Sequence, residues 1–560
     1  MRTPVSYLIR KYPTVRFFIF FLISGLILAG IIFFSLSTIH QNNIIAVTPQ
    51  ITVPGEEITV TGKNFGYQSI NSWIMIGNNK IKSDRCIEWT DTKIVFKAPD
   101  DLHEDIMYVV AKNKRGNTFF LVNKEIFPNR SKIAANENHP SIDSLDRNSG
   151  NVGDIISIYG KNFGHTRNNS IVLFTGTDNP VFSQTSASKS IVTGAECNEA
   201  DFDYDFWSDR ELRIRVPDAA NSGNIIVITE TGMSNPMPFQ LKNKYGSKTY
   251  TDTRTYNLAS EVEISDFIAE LPNTFFLQVP LPQKTETQRI VTLLSVQPEP
   301  FVPSYQDANI YRFYNVDSKH KIRIRQEYSV SRSKVETAVN AAAFIKMRRN
   351  NPLLYAAYTE SDDLLPAGDP AVKKICKSII GNETNPYNRA KRIYTFLTSE
   401  IEARKSSATD AGKSILTALE NKTGGAYDLA LLFCTLARAA DVPAVPTAGL
   451  LADKDKKAVP HWWAEFYLNG FGWVPVDPAL ASGIPFDTGV ANKKQWYFGN
   501  LDAYHIAFSR GYRNQNTLLP NSKTTEKIRS YAFRSIWEES TANIKGYSSL
   551  WRTPKITDIY

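Results

Sequence analysis

A chain of 560 residues with 42% hydrophobic and 12% aromatic residues has material for three or four separate cores. Half of its formal net charge of +8 has a local cause: Arg2, Arg10, Lys11 and Arg16 all stand ahead of the first acid, Glu56. No Lys/Arg stripe with interleaved aromatics runs through the rest, which argues against a nucleic-acid partner, and four scattered cysteines without a CxxC pair argue against a thiolate zinc site or a disulfide scaffold.

The amino terminus comes first. Phe17–Leu36 is an uncharged run of 20 residues. As a helix it would be about 30 Å long, enough to cross a hydrocarbon core. The basic residues precede it, so the sequence predicts a cytoplasmic tail (1–16), a retained transmembrane anchor (17–39) and an extracytoplasmic remainder. A cleaved signal peptide is the alternative, with Ser35-Leu36-Ser37 as a loose cleavage motif.

Two stretches then repeat each other. VPGEEITVTGKNFG (53–66) matches NVGDIISIYGKNFG (151–164), and WTDTKIVFKAPD (89–100) matches WSDRELRIRVPD (207–218). Ile58 and Val60, like Ile156 and Ile158, alternate with polar residues as half-buried strands do. Gly62, Gly66, Gly160 and Gly164 suit turn positions with positive φ. Residues 44–125 and 140–242 thus resemble the IPT/TIG family, which implies two immunoglobulin-like β-sandwiches. The second copy carries an insertion near Thr175–Phe206. Its acids Glu196, Glu199, Asp201, Asp203 and Asp205 read as an exposed, solvated loop, with a calcium site as the lesser alternative.

From 247 to 345 the pattern stays β-like. FFLQVPLP (275–282) ends in a proline turn, and RIVTLLSV (289–296) reads as a buried strand. In KIRIRQEYSV (321–330), Ile322, Ile324, Tyr328 and Val330 share one face, and Lys321, Arg323, Arg325 and Glu327 the solvated other.

Residues 350–510 form the predicted core domain. DPAVKKICKSIIG (369–381) is a helix ending on Gly381, with Cys376 on its apolar stripe. PYNRAKRIYTFLTSEI (386–401) is the next. Gly424-Gly425 leads into a third, in which Leu429, Leu432, Phe433 and Leu436 form one face. HWWAEFYLNGFGWVPVDP (461–478) reads as a hairpin. A three-residue loop, Leu468-Asn469-Gly470, pairs positions summing to 938 and sets His461 opposite Asp477. A two-residue Asn-Gly turn pairs positions summing to 939 and puts the two on opposite faces. Trp462, Trp463 and Trp473 read as packing in a hairpin buried on both sides, with a ligand-stacking wall as the alternative. Glu465 reads as a satisfied sheet partner and His505 as a structural contact.

The segments GGAYDLALLFCTLARAADVPA and HWWAEFYLNGFGWVPVDP, with WYFGNLDAYHIAFSRG (496–511) behind them, resemble the transglutaminase-like superfamily of papain-like fold. The resemblance implies a Cys opening the first helix, a His beginning the hairpin and an Asp closing it. Carried over, the base is His461 and its orienting partner Asp477, while Ala426 stands at the position of the nucleophile. Gly425, Tyr427, Trp462 and Trp463 are the candidate cleft residues. No cofactor and no metal is implied.

The sequence therefore predicts a multidomain chain. A transmembrane helix is followed by two Ig-like β-sandwiches, a β domain (247–345), an α+β papain-like transglutaminase core (350–510) and a C-terminal extension (511–560). The expected function is binding of a protein or cell-wall peptide, or envelope scaffolding, by a domain without cysteine chemistry. Two alternatives stay open: a hydrolase using a His461-activated water, and adhesion or assembly through the β modules alone.

Overall fold

The computed structural model describes residues 42–48, 51–52, 54–76, 79–100, 102, 105–112, 114–123, 139–176, 194–344, 351–405, 414–511, 517–519, 521–526, 530–533 and 536–560. The expected basic tail (1–16) and membrane anchor (17–39) lie outside these residues. Among the described residues no helix is long and apolar enough to cross a membrane. The chain divides into two compact units: residues up to 128 with 516–522, and the remainder.

The first unit is a sandwich of two sheets. One has the strand order 43–48, 57–63, 93–97, 88–89; the other runs 51–52, 114–123, 105–111, 73–76, 79–82. Ile58, Val60, Ile74, Ile94, Phe96, Met107 and Val109 fill the space between them. The second repeat, within the second unit, builds the same two sheets: 141–145, 155–161, 211–215, 204–207 against 149–150, 237–241, 220–229, 171–176, 195–196.

The two repeated motifs turn out to be halves of one device. In the first copy the Trp89 indole donates to the Phe65 carbonyl, and the Asp91 carboxylate accepts the Gly66 N–H at 2.9 Å. In the second, Trp207 donates to the Phe163 carbonyl and Asp209 accepts the Gly164 N–H at 3.1 Å. Gly66 and Gly164 have positive φ as expected, but Gly62 and Gly160 do not; Asn64 and Asn162, both at φ 61°, take the second left-handed position. Gly160 is needed for space instead, since a Cβ there would run into the Ser141 carbonyl and the Phe163 ring.

The β domain is organised on β1 (Gly246–Ala269), which pairs antiparallel along its length with β4 (Ile322–Val339). A second sheet centres on β2 (Thr274–Pro280), and Val262, Ile264, Phe275, Leu277, Ile322 and Ile324 fill the space between the two sheets. The basic stripe on β4 is exposed, with Lys321 and Arg323 paired to Glu263 and Arg325 to Glu261. The expected buried strand is β3 (Ile290–Gln297), and here the sequence misleads. It pairs with β4 alone and ends the sheet, leaving Leu293 and Leu294 44% and 54% exposed. A short apolar run does not say which edge of a sheet it will occupy.

The C-terminal residues, which the sequence left as an extension without a place, complete this domain. Trp537–Ser540 pairs with β2, while Ile544–Trp551 and Lys555–Ile559 pair with β1.

The core domain has α1 (Pro352–Thr359), α2 (Pro370–Ile380), α3 (Pro386–Glu400) and α4 (Ala426–Ala439). Their ends are local chemistry. The Asp369 carboxylate accepts the N–H groups of Ala371 and Val372, Asn385 caps α3 the same way, and Gly381 closes α2 at φ 58°. Four strands follow: β5 (Ala444–Ala452), β6 (Ala458–Leu468), β7 (Gly472–Val476) and β8 (His505–Arg510), in the order β7-β6-β5-β8. α4 packs on this sheet through contacts such as Phe433 on Phe466, 6.0 Å between ring centres. Leu450, Ala452, Ile506 and Phe508 pack with Tyr256, Leu258, Tyr328 and Val330 of the β domain, so the two domains share a core.

Candidate functional site

The site begins where α4 does. Gly424 is crowded, because a Cβ there would meet Asp428 and Ala418. Gly425 is the N-cap, and the Asp428 side chain reaches back to accept its N–H at 2.9 Å. Ala426 is therefore the first residue of a 14-residue helix.

The hairpin that supplies the other residues has a register that neither expected turn gives. Ala464 pairs with Val476 and Leu468 with Gly472, so paired positions sum to 940. The loop is Asn469-Gly470-Phe471. Gly470 is left-handed (φ 81°), as expected, and Gly472 adds a second positive φ (94°) where the chain re-enters the sheet. A shift of two residues keeps the parity, which is why His461 and Asp477 still meet.

They do not meet as opposed strand residues. β7 ends at Val476, and Asp477 is the N-cap of the short helix α5 (Pro478–Ala481). Its Oδ1 accepts the N–H groups of Ala479 and Leu480, each at 2.9 Å. Its Oδ2 is thereby aimed at the His461 Nε2, 2.7 Å away.

The structure adds a residue that sequence reasoning set aside. The His505 Nε2 lies 3.0 Å from the same Asp477 oxygen, and its Nδ1 lies 2.8 Å from Asp502. The Tyr497 hydroxyl donates to the far oxygen of Asp502 at 2.6 Å. The signal was present in the Asp502–His505 spacing, but only the β5 pairing with β6 and β8 brings His461 and His505 together.

The candidate residues fall into two contact groups. Trp463 stacks on His461 and meets His505 edge-on at 5.0 Å. Tyr427, beside Ala426, meets Trp462 edge-on at 5.7 Å and has the Phe533 ring 6.1 Å away. Successive strand residues point to opposite faces, which separates Trp462 from His461 and Trp463. All are packed: Ala426 is 5% exposed, Tyr427 3%, His461 2%, Trp462 4%, Trp463 1% and Asp477 0%. A surface groove of about 650 Å³ lies elsewhere, lined by Ile379, Lys391, Arg392 and Phe396 of α2 and α3.

Residues 373–478 match the transglutaminase-like superfamily, and residues 43–122 and 140–242 match the IPT/TIG domain. The chain carries a transglutaminase-like core behind two IPT/TIG domains. An uncharacterised protein of Haemophilus influenzae is 31% identical over 173 residues, a match spanning 25% of this chain and 46% of that protein's own length. Among solved structures, a candidate cysteine protease from Cytophaga hutchinsonii is 15% identical over 56% of this chain and 91% of its own (TM-score 0.33). A surface glycan-binding protein from Prevotella bryantii is 12% identical over 43% and 70% (TM-score 0.15).

The electrostatics of the transglutaminase-like core follow from its bonds. Burial pushes the Asp477 carboxyl up, but the two imidazoles outweigh it and hold it well below the usual carboxylate range. Burial pushes His505 down, but Asp502 and Asp477 outweigh that and raise it above its ordinary value. His461, Asp477 and His505 are the described group whose donor atoms, all within 4.8 Å, could hold a cation. An ion there would have to displace both hydrogen bonds to Asp477 Oδ2, so the geometry in place is that of a hydrogen-bond network.

The second IPT/TIG domain is fastened to the core by the insertion that composition marked as a solvated loop. Asp201 and Asp203 are 5% exposed. Asp201 accepts the Trp473 indole N–H at 2.9 Å and an Arg510 N–H at 3.0 Å, and the neighbouring Ala200 carbonyl accepts the Tyr358 hydroxyl. Asp203 accepts the Asn198 N–H. Asp201 is buried because it has partners from another domain, which composition cannot show, while Asp203 is bonded within the insertion itself. Burial pushes the Asp201 carboxyl up to about 6 even with Arg510 beside it. Arg510 also holds Glu465, the expected sheet partner, at 2.7 Å.

Proposed function

We propose that this chain is a membrane-anchored, extracytoplasmic scaffold whose transglutaminase-like domain works without cysteine chemistry. The observation that carries the reading is Ala426 at the first position of α4. A helix start favours a thiolate, and a nucleophilic cysteine gains there. A methyl group cannot attack a carbonyl, so no acyl-enzyme forms through this position. The packing of Ala426, Tyr427, His461 and Trp462 supports a scaffold over an open peptide receptor. Its partner is a protein or cell-wall peptide met on the outer surfaces of the domains.

No other thiol takes the missing role. Cys434 lies about 12 Å farther along α4. It is fully buried, and burial pushes its thiol far up. Burial likewise pushes Cys376 up to about 11 and, with Asp84, Cys86 up to about 12, and Cys197 well above its ordinary value. The expected result is that iodoacetamide modifies the folded chain slowly at pH 8, whereas Ala426→Cys adds one site that reacts at least about tenfold faster than Cys434. Equal rates in the two proteins, read by peptide mass spectrometry, would remove the nucleophile position from the account.

The anchor is tested by fractionation. The full chain should sediment with membranes, and a chain starting at His40 and exported by a cleavable signal should not; equal partitioning would overturn it. The hydrolase reading is favoured by the intact 2.7 Å His461–Asp477 bond. It requires hydrolysis that resists alkylation and is lost in His461→Ala.

A further inference from the structure

We propose that His505 is a positioning residue for the His461–Asp477 pair: a standing imidazolium clamped between Asp477 and Asp502, which fixes His461 as the tautomer protonated on Nε2. The inference concerns the same site as the proposed function but does not need Ala426 to be inert.

An ionised carboxylate offers about four acceptor positions and no donor. Asp477 has all four in use: two backbone N–H groups on Oδ1 and the two ring nitrogens on Oδ2. No position remains for a proton on the acid itself. Asp502 is an acceptor throughout as well, from the Tyr504 N–H and His505 on Oδ1 and from the Tyr497 hydroxyl on Oδ2. His505 therefore faces an acceptor with each nitrogen, and both must carry hydrogen. A ring protonated on both nitrogens is a cation. It is fully buried between two buried carboxylates, so its positive charge is compensated where it stands.

Around His505 stand Asp477, Asp502, His461 (5.6 Å between ring centres), Tyr497 (6.2 Å) and Trp463 (5.0 Å). Arg332 is the further cation, acting on Asp502 through space. For His461 the consequence is specific. Its Nε2 faces an acceptor and must donate, which leaves Nδ1 as the free position. His461 is held as an oriented imidazole that donates from Nε2 to the same carboxylate oxygen His505 donates to.

Histidine side-chain NMR on the full-length chain tests this, and with only seven histidines each signal is assignable by substitution. At pH 7.5 His505 should show hydrogen on both ring nitrogens, and His461 on Nε2 alone. In His505→Gln/Asp502→Asn, where Asp477 keeps its charge and loses its compensating imidazolium, the His461 ring signals at pH 7.5 should depart from the pattern with hydrogen on Nε2 alone. A singly protonated His505 in the wild-type chain, or an unchanged His461 ring-proton pattern in a folded variant, overturns the proposal. Should the variant fail to fold, the wild-type spectrum decides alone. Neither readout depends on turnover. An acyl-enzyme would sink the proposed function and leave this inference standing.

Discussion

Asp218→Ala is expected to lower the stability of the second unit by about 3–5 kcal/mol, the usual consequence of removing one partner from a buried ion pair. Asp218 comes from the second IPT/TIG domain and its side chain is 4% exposed. It accepts the Trp473 N–H at 2.8 Å and holds the Lys248 ammonium, which also donates to the Trp473 carbonyl at 2.6 Å. One carboxylate thus ties three domains: its own, the first strand of the β domain and the returning strand of the hairpin. In the variant the Lys248 charge stays buried, and the Trp473 N–H loses its acceptor. Urea unfolding followed by tryptophan fluorescence reads the effect, since Trp473 sits in the contact. A change below about 1 kcal/mol would mean that the domains are tethered and not fused. The IPT/TIG domain is accordingly a load on the hairpin and not a free spacer, and deleting it would strip Trp473 and Arg510 of their partners.

Asp477→Asn should be nearly as costly, and for a reason that separates its two roles. Asparagine caps a helix about as well as aspartate, so the bonds to Ala479 and Leu480 survive. Its amide, turned toward the histidines, presents N–H to two N–H groups, and the buried His505 charge keeps only Asp502. The expected loss is again about 3–5 kcal/mol, and Asp477→Ala adds about 1 kcal/mol for the cap. Equal stability of Asp477→Asn and wild type would show the histidine bonds to be without weight.

The pH dependence has a defined sign. Asp477 is held below its ordinary value, so its contribution is present above the normal carboxylate range and is lost as pH falls through and below it. His505 is raised, so its contribution is complete below the ordinary histidine value of 6.5 and is lost as pH rises past the raised one. The wild-type chain should be favoured over Asp477→Asn most strongly between those limits.

What the sequence made legible was local. Asp369 and Gly381 bound their helix through bonds within a few residues. The paired GKNFG and Trp-x-Asp motifs gave two sandwiches because each copy closes its own turn. Helix α4 was readable from Gly425 and its apolar face. The failures all depend on distant chain. The hairpin register rests on Gly472 accepting a positive φ, and the exposure of β3 on which strand ends its sheet. Asp201 read as solvated because its partners stand in another domain, and His505 read as incidental because Asp477 reaches it only through the order β6-β5-β8. The C-terminal strands had no visible place because β1, their partner, lies almost 300 residues earlier.

The most direct test of the account is intact-protein mass spectrometry of the purified chain after incubation with glutamine-containing and peptide acyl donors. The account predicts no covalent acyl adduct on the wild-type chain and an adduct at position 426 in Ala426→Cys. A wild-type adduct that iodoacetamide abolishes would contradict it.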